Sequence, residues 1–373
     1  MLSFFLEIPN SDALLVSYAL TTFAPVQAVK TDIRKFSLDE IKDYLVSIDE
    51  KPFRAKQIVS WLWQKGATQI DHMTNLSKPL REKLGEHFTI NAIQEDVVQY
   101  SDDGTVKVRY RLHDGHLMES VLIPVPADNR YTVCVSSQVG CSLSCTFCAT
   151  GTMKRVRNLD PGEIYDQVVL INRICEERFG HPLTNIVYMG MGEPLLAYKS
   201  VMESIRLITS PDGLNMSPKR ITVSTAGIAK MIRKLAEDGA KFHLALSLHA
   251  ADDTKRDEIM PINEQNTLAT LMDAIEYFYK TTGNRISYEY IAFQGFNDSL
   301  EDARNLVKLC RRFPVRVNII EYNPIDGVDF VKSDADRLDR FAQYLREHKV
   351  MITVRRSRGK DIDAACGQLA NKG

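Results

Sequence analysis

The chain has 373 residues, of which 44% are hydrophobic and 25% are charged, as is usual for globular proteins. Its formal net charge of -1 excludes a global basic field that would attract nucleic acid, so RNA contacts must come from local patches. The seven cysteines do not form the pattern of a secreted disulfide framework and favour a reducing, cytoplasmic compartment. No apolar run approaches the ~20 residues of a membrane span.

The amino-terminal segment, residues 1–30, is predicted to be a disordered extension. It contains apolar pieces, but no basic head precedes them, as a signal peptide would require. A start codon assigned too early explains the segment equally well.

Residues 31–92 are predicted to form a small helical accessory module. Ser37 and Glu40 have the spacing of a capping box ahead of an amphipathic run. A second helix is predicted to begin at Pro52, and a third to cover residues 76–87. The pattern fits a packing domain as well as an RNA-positioning module, and the sequence does not separate the two.

Residues 93–128 are predicted to form a β-meander linker. Alternating runs of apolar and polar residues surround two turn signals, Asp103-Gly104 and Asp114-Gly115. An Asp-Gly pair between alternating runs is typical of a tight hairpin. Three antiparallel strands are therefore expected here.

Residues 129–373 alternate short β-rich runs with longer helical runs. Six βα units in series predict an α/β fold of parallel strands with right-handed crossovers, a partial (β/α)6 TIM-like barrel. In such barrels the active site lies at the carboxyl ends of the strands. The predicted strands are 132–136, 185–189, 220–224, 242–247, 285–292 and 315–321, and 350–355 is a candidate extension. The predicted helices are 162–178, 199–209, 228–237, 268–280, 300–312 and 334–347.

Three cysteines follow the first strand of this series. Cys141, Cys145 and Cys148 have the spacing C-x3-C-x2-C, which fits a loop folded around a [4Fe-4S] cluster. Three ligands for four irons leave one iron open, where the amino and carboxylate groups of S-adenosylmethionine can bind. The alternatives are a zinc site completed by a distant histidine, and plain thiols.

The cysteine spacing after the first barrel strand resembles the radical S-adenosylmethionine superfamily. Further segments resemble the RlmN/Cfr family of RNA adenine methyltransferases, whose cofactors are a [4Fe-4S] cluster and S-adenosylmethionine. The resemblance runs from about Phe36 to the last residues and includes residues 50–54 (EKPFR) of the helical module. The other segments that carry it are 134–141 (CVSSQVGC), 190–194 (GMGEP), 247–250 (SLHA) and 361–369 (DIDAACGQL).

Several polar residues stand at the predicted carboxyl ends of successive strands, where one shared ligand accounts for them better than separate helix caps. The resemblance implies that Gly192 and Glu193 hold the methionyl amine of S-adenosylmethionine. It also implies that the ribose, adenine and carboxylate are contacted by Ser224, Ser247, Leu248, His249 and Asn323.

Cys366 follows a basic run that includes Arg355, and nearby cations are expected to lower the pKa of its thiol. The resemblance implies that this thiolate takes a methyl group from one S-adenosylmethionine. A radical from a second molecule then abstracts hydrogen from the S-methyl group, and the methylene radical adds to adenine C2. Cys134 is the thiol that would resolve the protein–RNA adduct through a transient disulfide. Cys175 and Cys310 are interpreted as buried apolar residues of amphipathic helices.

Glu119 is expected to end the third meander strand. Taken alone, it is interpreted as a solvated strand carboxylate. The resemblance makes it a proton acceptor near the substrate base, although the link at residues 124–127 (PVPA) is slightly longer than is usual in the family.

The leading hypothesis is an enzyme, a methyltransferase that forms 2-methyladenosine in RNA. The family's substrates are an adenine in the peptidyl-transferase centre of 23S rRNA and the adenine just 3′ of the anticodon in tRNA. The resemblance also implies an electron donor such as flavodoxin, and we expect a monomer without membrane contact. The alternatives are a Cfr-type enzyme that methylates C8, which Pro194 disfavours, and an iron–sulfur RNA-binding protein without methyl chemistry.

Overall fold

A computed structural model describes residues 30–372 of the chain, so the predicted extension lies outside the described residues apart from Lys30. The helices are α1 (Leu38–Ser47), α2 (Arg54–Trp63), α3 (Lys78–His87), α4 (Pro161–Phe179), α5 (Tyr198–Thr209), α6 (Ala229–Glu237), α7 (Asp253–Ile259), α8 (Leu268–Thr282), α9 (Leu300–Cys310) and α10 (Ala335–Glu347). The strands are β1 (Thr31–Asp32), β2 (Phe88–Thr89), β3 (Gln94–Tyr100), β4 (Val106–Arg111), β5 (Leu117–Val125), β6 (Arg130–Cys134), β7 (Gln138–Val139), β8 (Arg157–Asn158), β9 (Asn185–Tyr188), β10 (Ile221–Thr225), β11 (His243–Ser247), β12 (Ile286–Ala292), β13 (Val315–Glu321) and β14 (Met351–Arg355).

Helices α1 to α3 form close to where the sequence predicts them. The predicted capping box is present, because the Ser37 N–H donates to the Glu40 carboxylate at 2.7 Å and the Ser37 hydroxyl accepts from the Glu40 N–H at 3.2 Å. Phe88 packs edge-on against Phe36 and Tyr44, with ring centroids 5.2 and 4.7 Å apart. These contacts hold α1 against the end of α3.

Ten strands form one continuous sheet in the order β14-β13-β12-β11-β10-β9-β6-β5-β4-β3. From β6 to β14 the neighbouring strands are parallel, and a helix connects each strand of this series to the next. The partial TIM-like barrel is therefore confirmed. The candidate run near the carboxyl terminus is also a strand, β14, which adds a parallel edge beside β13.

The strands of the meander continue the barrel sheet. Strands β3, β4 and β5 pair antiparallel around the two predicted Asp-Gly turns. The second half of β5 then pairs with β6, from Val121 opposite Cys134 to Val125 opposite Arg130. Both edges of β5 are therefore occupied, and the barrel wall extends through the meander. The boundaries of the predicted domains stay a prediction.

The sequence did not predict α7 or the short pair β7 and β8. Helix α7 is brief and densely charged, so it has too few apolar positions to give a periodic signal. The main core lies between the barrel sheet and its helices, with fully buried aromatic residues such as Tyr188 and Phe278. Within residues 30–372, no helix combines the length and apolar character that a membrane crossing requires.

Candidate active site at the carboxyl ends of the barrel strands

The loop with the three cysteines leaves the carboxyl end of β6 and is closed by the antiparallel pair of β7 and β8. Gly140 in this loop has a φ angle of +71°. A Cβ atom at this position would lie 2.2 Å from the carbonyl oxygen of Lys154. Only glycine fits there, and it allows the chain to fold back tightly around the cysteines.

The thiols of the three cysteines lie close enough to interact electrostatically. Cys145 interacts with both Cys141 and Cys148, and burial raises the pKa of all three thiols, that of Cys141 to about 11. Metal binding must therefore displace protons here. Among the described residues, no three His, Cys, Asp or Glu side chains converge closely enough to hold a single metal ion. Three neighbouring thiols on one loop are a ligand set that a [4Fe-4S] cluster uses.

An aromatic wall lines one side of the cysteine loop. Phe147 lies edge-on to His249 with ring centroids 4.7 Å apart and contacts Phe293 at 5.7 Å. These rings belong to a second buried apolar group against which Cys145 and Cys148 pack. The wall keeps water from this side of the loop and lowers the local dielectric constant.

Gly192 and Glu193 follow β9 and lie beside the cysteine loop. A Cβ at Gly192 would lie 2.5 Å from the Cβ of Gln138, so the backbone approaches the loop closely. The Glu193 carboxylate is buried and accepts from the backbone N–H groups of Leu195 and Ala226 at 3.0 and 2.8 Å. Burial raises the pKa of this carboxyl. In this structure Glu193 therefore joins the loops after β9 and β10.

The residues at the ends of β10 and β11 come together as the sequence predicts. The hydroxyl oxygens of Ser224 and Ser247 are 3.4 Å apart. His249 has a φ angle of +55°, and its Nδ1 accepts from the backbone N–H of Ile291 at 3.1 Å. Burial lowers the pKa of His249 to about 3, so the imidazole is neutral and its proton is on Nε2. Leu248, which lies between Ser247 and His249 in the chain, is fully buried.

The carboxyl-terminal segment brings Cys366 to the mouth of the barrel. The side-chain amide of Asn323 donates to the Cys366 carbonyl at 3.4 Å, and the Gly367 carbonyl accepts from the Ala149 N–H at 2.7 Å. Cys134, at the end of β6, interacts electrostatically with Cys366. Both are free thiols, so the disulfide stays a prediction. The structure thus brings Cys134 and Cys366 near each other and ties the segment of Cys366 to the loop of the other three cysteines.

The Cys366 residue is exposed, and the predicted activation of its thiol by nearby cations meets opposing effects. Arg355 does lower the pKa of the Cys366 thiol, but desolvation by the surrounding protein is the larger effect and raises it. Glu289 raises it further. Burial also raises the pKa of Cys134, to about 12. The Cys134 thiol is therefore protonated at neutral pH.

The sequence predicted that Glu119 ends its strand. This prediction is wrong, because β5 continues to Val125 along its pairing with β6. Its carboxylate is fully buried and accepts from the N–H groups of Ala370 and Asn371 at 3.0 and 3.1 Å. Lys107 lies 3.7 Å from the other oxygen. Burial raises the pKa of Glu119 despite these partners. The interpretation as a solvated carboxylate is wrong, and Glu119 holds the carboxyl-terminal segment.

Two family models match the chain, the Ribosomal RNA large subunit methyltransferase N-terminal domain over residues 31–90 and the Radical SAM superfamily over residues 135–309. A probable dual-specificity RNA methyltransferase RlmN from Cytophaga hutchinsonii is 52% identical over 355 residues, which are 94% of this chain and 97% of that protein. The chain belongs to the RlmN family of dual-specificity RNA methyltransferases. A second RlmN relative, from Salinibacter ruber, is 45% identical and covers 92% of this chain and 95% of its own.

The fold of this RlmN-family chain also matches a solved structure. The crystal structure of a radical SAM methyltransferase from Sphaerobacter thermophilus has a TM-score of 0.86 and 39% identity, and the match covers 92% of this chain and 100% of that one. As a radical SAM methyltransferase, the RlmN-family chain uses a [4Fe-4S] cluster and S-adenosylmethionine. The three neighbouring thiols and the dry aromatic wall fit such a cluster.

Sequence reasoning missed two buried residues of the RlmN-family site. The Gln138 side chain accepts from the Glu193 N–H at 2.9 Å and donates to Asn158 at 2.8 Å, which ties the cysteine loop to the loop after β9. Its position inside segment 134–141 was the available signal. Arg256 on α7 is fully buried, although its charged sequence neighbours are typical of a solvated helix.

Proposed function

We propose that this RlmN-family chain forms 2-methyladenosine in 23S rRNA at the peptidyl-transferase centre and in tRNA next to the anticodon. The observation that supports this most is the position of Cys366. Its neighbour Gly367 bonds to Ala149, one residue beyond the cluster ligand Cys148. A thiol that can carry a methyl group therefore lies beside the proposed source of radicals.

Cys141, Cys145 and Cys148 are the proposed cluster ligands. When bound, the cluster supplies the electron that cleaves S-adenosylmethionine into methionine and a 5′-deoxyadenosyl radical. Gly192, Glu193, Ser224, Ser247, Leu248, His249 and Asn323 are the proposed contacts of S-adenosylmethionine. Support comes from their common position at the carboxyl ends of neighbouring parallel strands, where barrel enzymes hold their ligands.

Cys366 is proposed to act twice. Its thiol loses a proton, and the sulfur attacks the methyl carbon of one S-adenosylmethionine; the bond from that carbon to the sulfonium breaks, and S-adenosylhomocysteine leaves with the electron pair. The radical from a second molecule then removes a hydrogen atom from the S-methyl group. The resulting methylene radical forms a carbon–carbon bond to adenine C2. Because C2 is electrophilic, it cannot attack the methyl group of S-adenosylmethionine as a nucleophile, whereas it can accept a carbon radical.

Cys134 and Glu119 are proposed to complete the reaction. Glu119 accepts the proton from C2, and the cluster held by Cys141, Cys145 and Cys148 would, when bound, serve as acceptor for the one electron that the adduct also loses. Cys134, once deprotonated, attacks the Cys366 sulfur; the sulfur–carbon bond breaks, and its electron pair takes up a proton at the new methyl group. Because Glu119 holds Ala370 and Asn371, this segment must move before the carboxylate reaches a base.

The remaining parts of the chain have proposed roles in reaching the substrate. We propose an accessory helical module at residues 31–92, a meander at 93–128 and the catalytic barrel at 129–373. The family model at residues 31–90 is named for a ribosomal RNA methyltransferase, which favours RNA positioning over packing alone for the module. The base must leave its stack for C2 to reach Cys366. We further propose that a flavodoxin-type protein donates the electrons, that the chain acts as a monomer and that it is located in the cytoplasm.

Mass spectrometry of digested RNA tests the proposed product. Cells that lack their own enzyme and express this chain should gain 2-methyladenosine in 23S rRNA and tRNA. Cys366→Ala should abolish the modification and keep the cluster, whereas Cys310→Ala, in α9, should leave both unchanged. The appearance of 8-methyladenosine without 2-methyladenosine would replace the proposal with the Cfr-type reaction, and an active Cys366→Ala variant would refute the role of this thiol.

A further inference from the structure

Arg256 is a buried cation whose hydrogen-bond partners are all uncharged. The residue is fully buried in α7. Among the described residues, its guanidinium donates to the carbonyl oxygens of Ala226, Ser247 and Leu248 at 2.5, 3.2 and 3.1 Å, and to the Asn263 side chain at 2.5 Å. A buried charge without a directly paired carboxylate is costly, so this arrangement calls for an explanation.

Among the described residues, Asp253 and Asp257 are connected to Arg256 through the side chain of Asn263. The Asn263 amide donates to Asp253 and Asp257 at 2.9 and 2.7 Å. Desolvation lowers the pKa of Arg256 to about 10, which still leaves the guanidinium charged at neutral pH. A full positive charge is therefore held in a buried part of the barrel, and the side chain of Asn263 separates it from the carboxylates of Asp253 and Asp257.

The helix that carries this charge contacts the cysteine loop. Ile259, at the end of α7, accepts from the Thr146 N–H at 3.1 Å, between the second and third cysteines. Ile259 and Phe147 belong to the buried apolar group against which Cys145 packs. As a thiolate, Cys145 would raise the pKa of Arg256 more than Asp253 or Asp257 does. Helix α7 and the loop thus meet through buried protein, in which charges interact over a longer range than in water.

We propose that Arg256 is a positioning residue whose buried charge raises the reduction potential of the cluster. The inference rests on the proposed function in one respect, that Cys141, Cys145 and Cys148 hold the cluster. Reduction brings in one electron from a reductant, which loses one, and no bond or proton changes. A fixed positive charge stabilises the state with the additional negative charge, and net charge and hydrogen bonding are the levers by which proteins set such potentials.

A purely structural role is the competing explanation. Arg256 also ties together the loops after β10 and β11, because it bonds to Ala226, Ser247 and Leu248. Loss of activity in a variant would therefore not separate the two roles. The midpoint potential of the bound cluster separates them, because it responds to charge and is measured without turnover.

The test compares midpoint potentials in the full-length, anaerobically prepared holoprotein, titrated with dithionite and mediators and followed by electron paramagnetic resonance. Arg256→Gln should lower the equilibrium constant for reduction at least tenfold, which corresponds to a shift of ~59 mV to more negative potential. Arg256→Lys keeps the charge and should stay near the wild-type potential. Lys255→Gln removes the neighbouring cation, which is more exposed and pairs with Asp302, and should leave the potential unchanged.

Asp257→Asn gives an independent prediction of opposite sign. It removes a negative charge next to Asn263 and keeps the shape of the side chain, so the midpoint potential should rise. If Arg256→Gln binds full iron and keeps the wild-type potential, the proposal is overturned. If Arg256→Gln takes up no iron, Asp257→Asn decides, and an unchanged potential overturns the proposal. Failure of the proposed function would differ, because the wild-type chain would then lack either the cluster or the methylated RNA.

Discussion

Gly140 lies where any side chain would collide with the backbone of Lys154. Gly140→Ala adds a Cβ 2.2 Å from that carbonyl oxygen and places a non-glycine residue at a φ angle of +71°. The loop must open to relieve the contact, and the cysteines then separate. We expect iron and sulfide content to fall well below that of the wild type after anaerobic reconstitution, together with a destabilisation of about 1–3 kcal/mol.

Gly283 provides the matched control for this prediction. It ends α8 with a φ angle of +64°, but a Cβ there would meet no atom within 4 Å. Gly283→Ala should therefore cost only the left-handed conformation, about 1–2 kcal/mol, and bind full iron. Equal iron content in the two variants would show that the collision at Gly140 does not shape the loop.

His249 makes stability depend on pH in a defined direction. The pKa of His249 is about 3 in the folded chain, compared with its ordinary value of 6.5 in an unfolded chain. The folded chain therefore resists protonation of this imidazole. The resulting stability is fully present above pH 6.5 and is lost as pH falls towards 3, at up to about 1.4 kcal/mol per pH unit. His249→Gln keeps an acceptor for Ile291 and should lose this slope. Denaturant titrations from pH 7 to pH 5 measure it, and equal slopes in both proteins would contradict the argument.

At the scale of elements, a buried ion-pair group joins the helical module to the barrel. Arg34 bonds to Asp32 at 3.2 Å and to Asp166 of α4 at 2.8 Å, and its side chain is only 5% exposed. Arg34→Met leaves two carboxylates without their ion-pair partner, and the Asp32 side chain is only 4% exposed. The free energy of unfolding should fall by about 3 kcal/mol in urea titrations.

The neighbouring residue separates burial from mere charge. Lys35 pairs with Asp160 at 3.0 Å, but its side chain is 51% exposed. Lys35→Met should therefore change the free energy of unfolding by less than about 1 kcal/mol. A similar loss in both variants would mean that the buried group does not anchor the module.

Local signals predicted most elements, because their causes lie within a few residues. The capping box at Ser37 and the Asp-Gly turns of the meander depend only on neighbouring backbone groups. Helix α7 escaped prediction for the opposite reason. Its role depends on Arg256, whose partners Ala226 and Leu248 lie in other loops, and no local pattern marks such a contact.

At the scale of the whole molecule, the sequence predicted the parallel barrel but not the continuity of its sheet. Whether β5 stops or pairs with β6 depends on an edge that only the folded barrel offers. The sequence did not predict the environment of Cys366 for a similar reason. The sequence shows the cations near Cys366, but Glu289, which raises the pKa of this thiol, comes to it from a strand that is distant in sequence. Glu119 likewise meets Ala370 only after the chain has closed.

The central claim is that Cys366 carries the methyl group to RNA. The most direct measurement is mass spectrometry of the Cys366 peptide from chain purified without oxygen, with the Cys310 peptide of the same digest as the unmodified control. The account predicts one additional methyl or methylene group on Cys366 and none on Cys310. An unmodified Cys366 peptide from chain that contains its cluster and methylates RNA would contradict it.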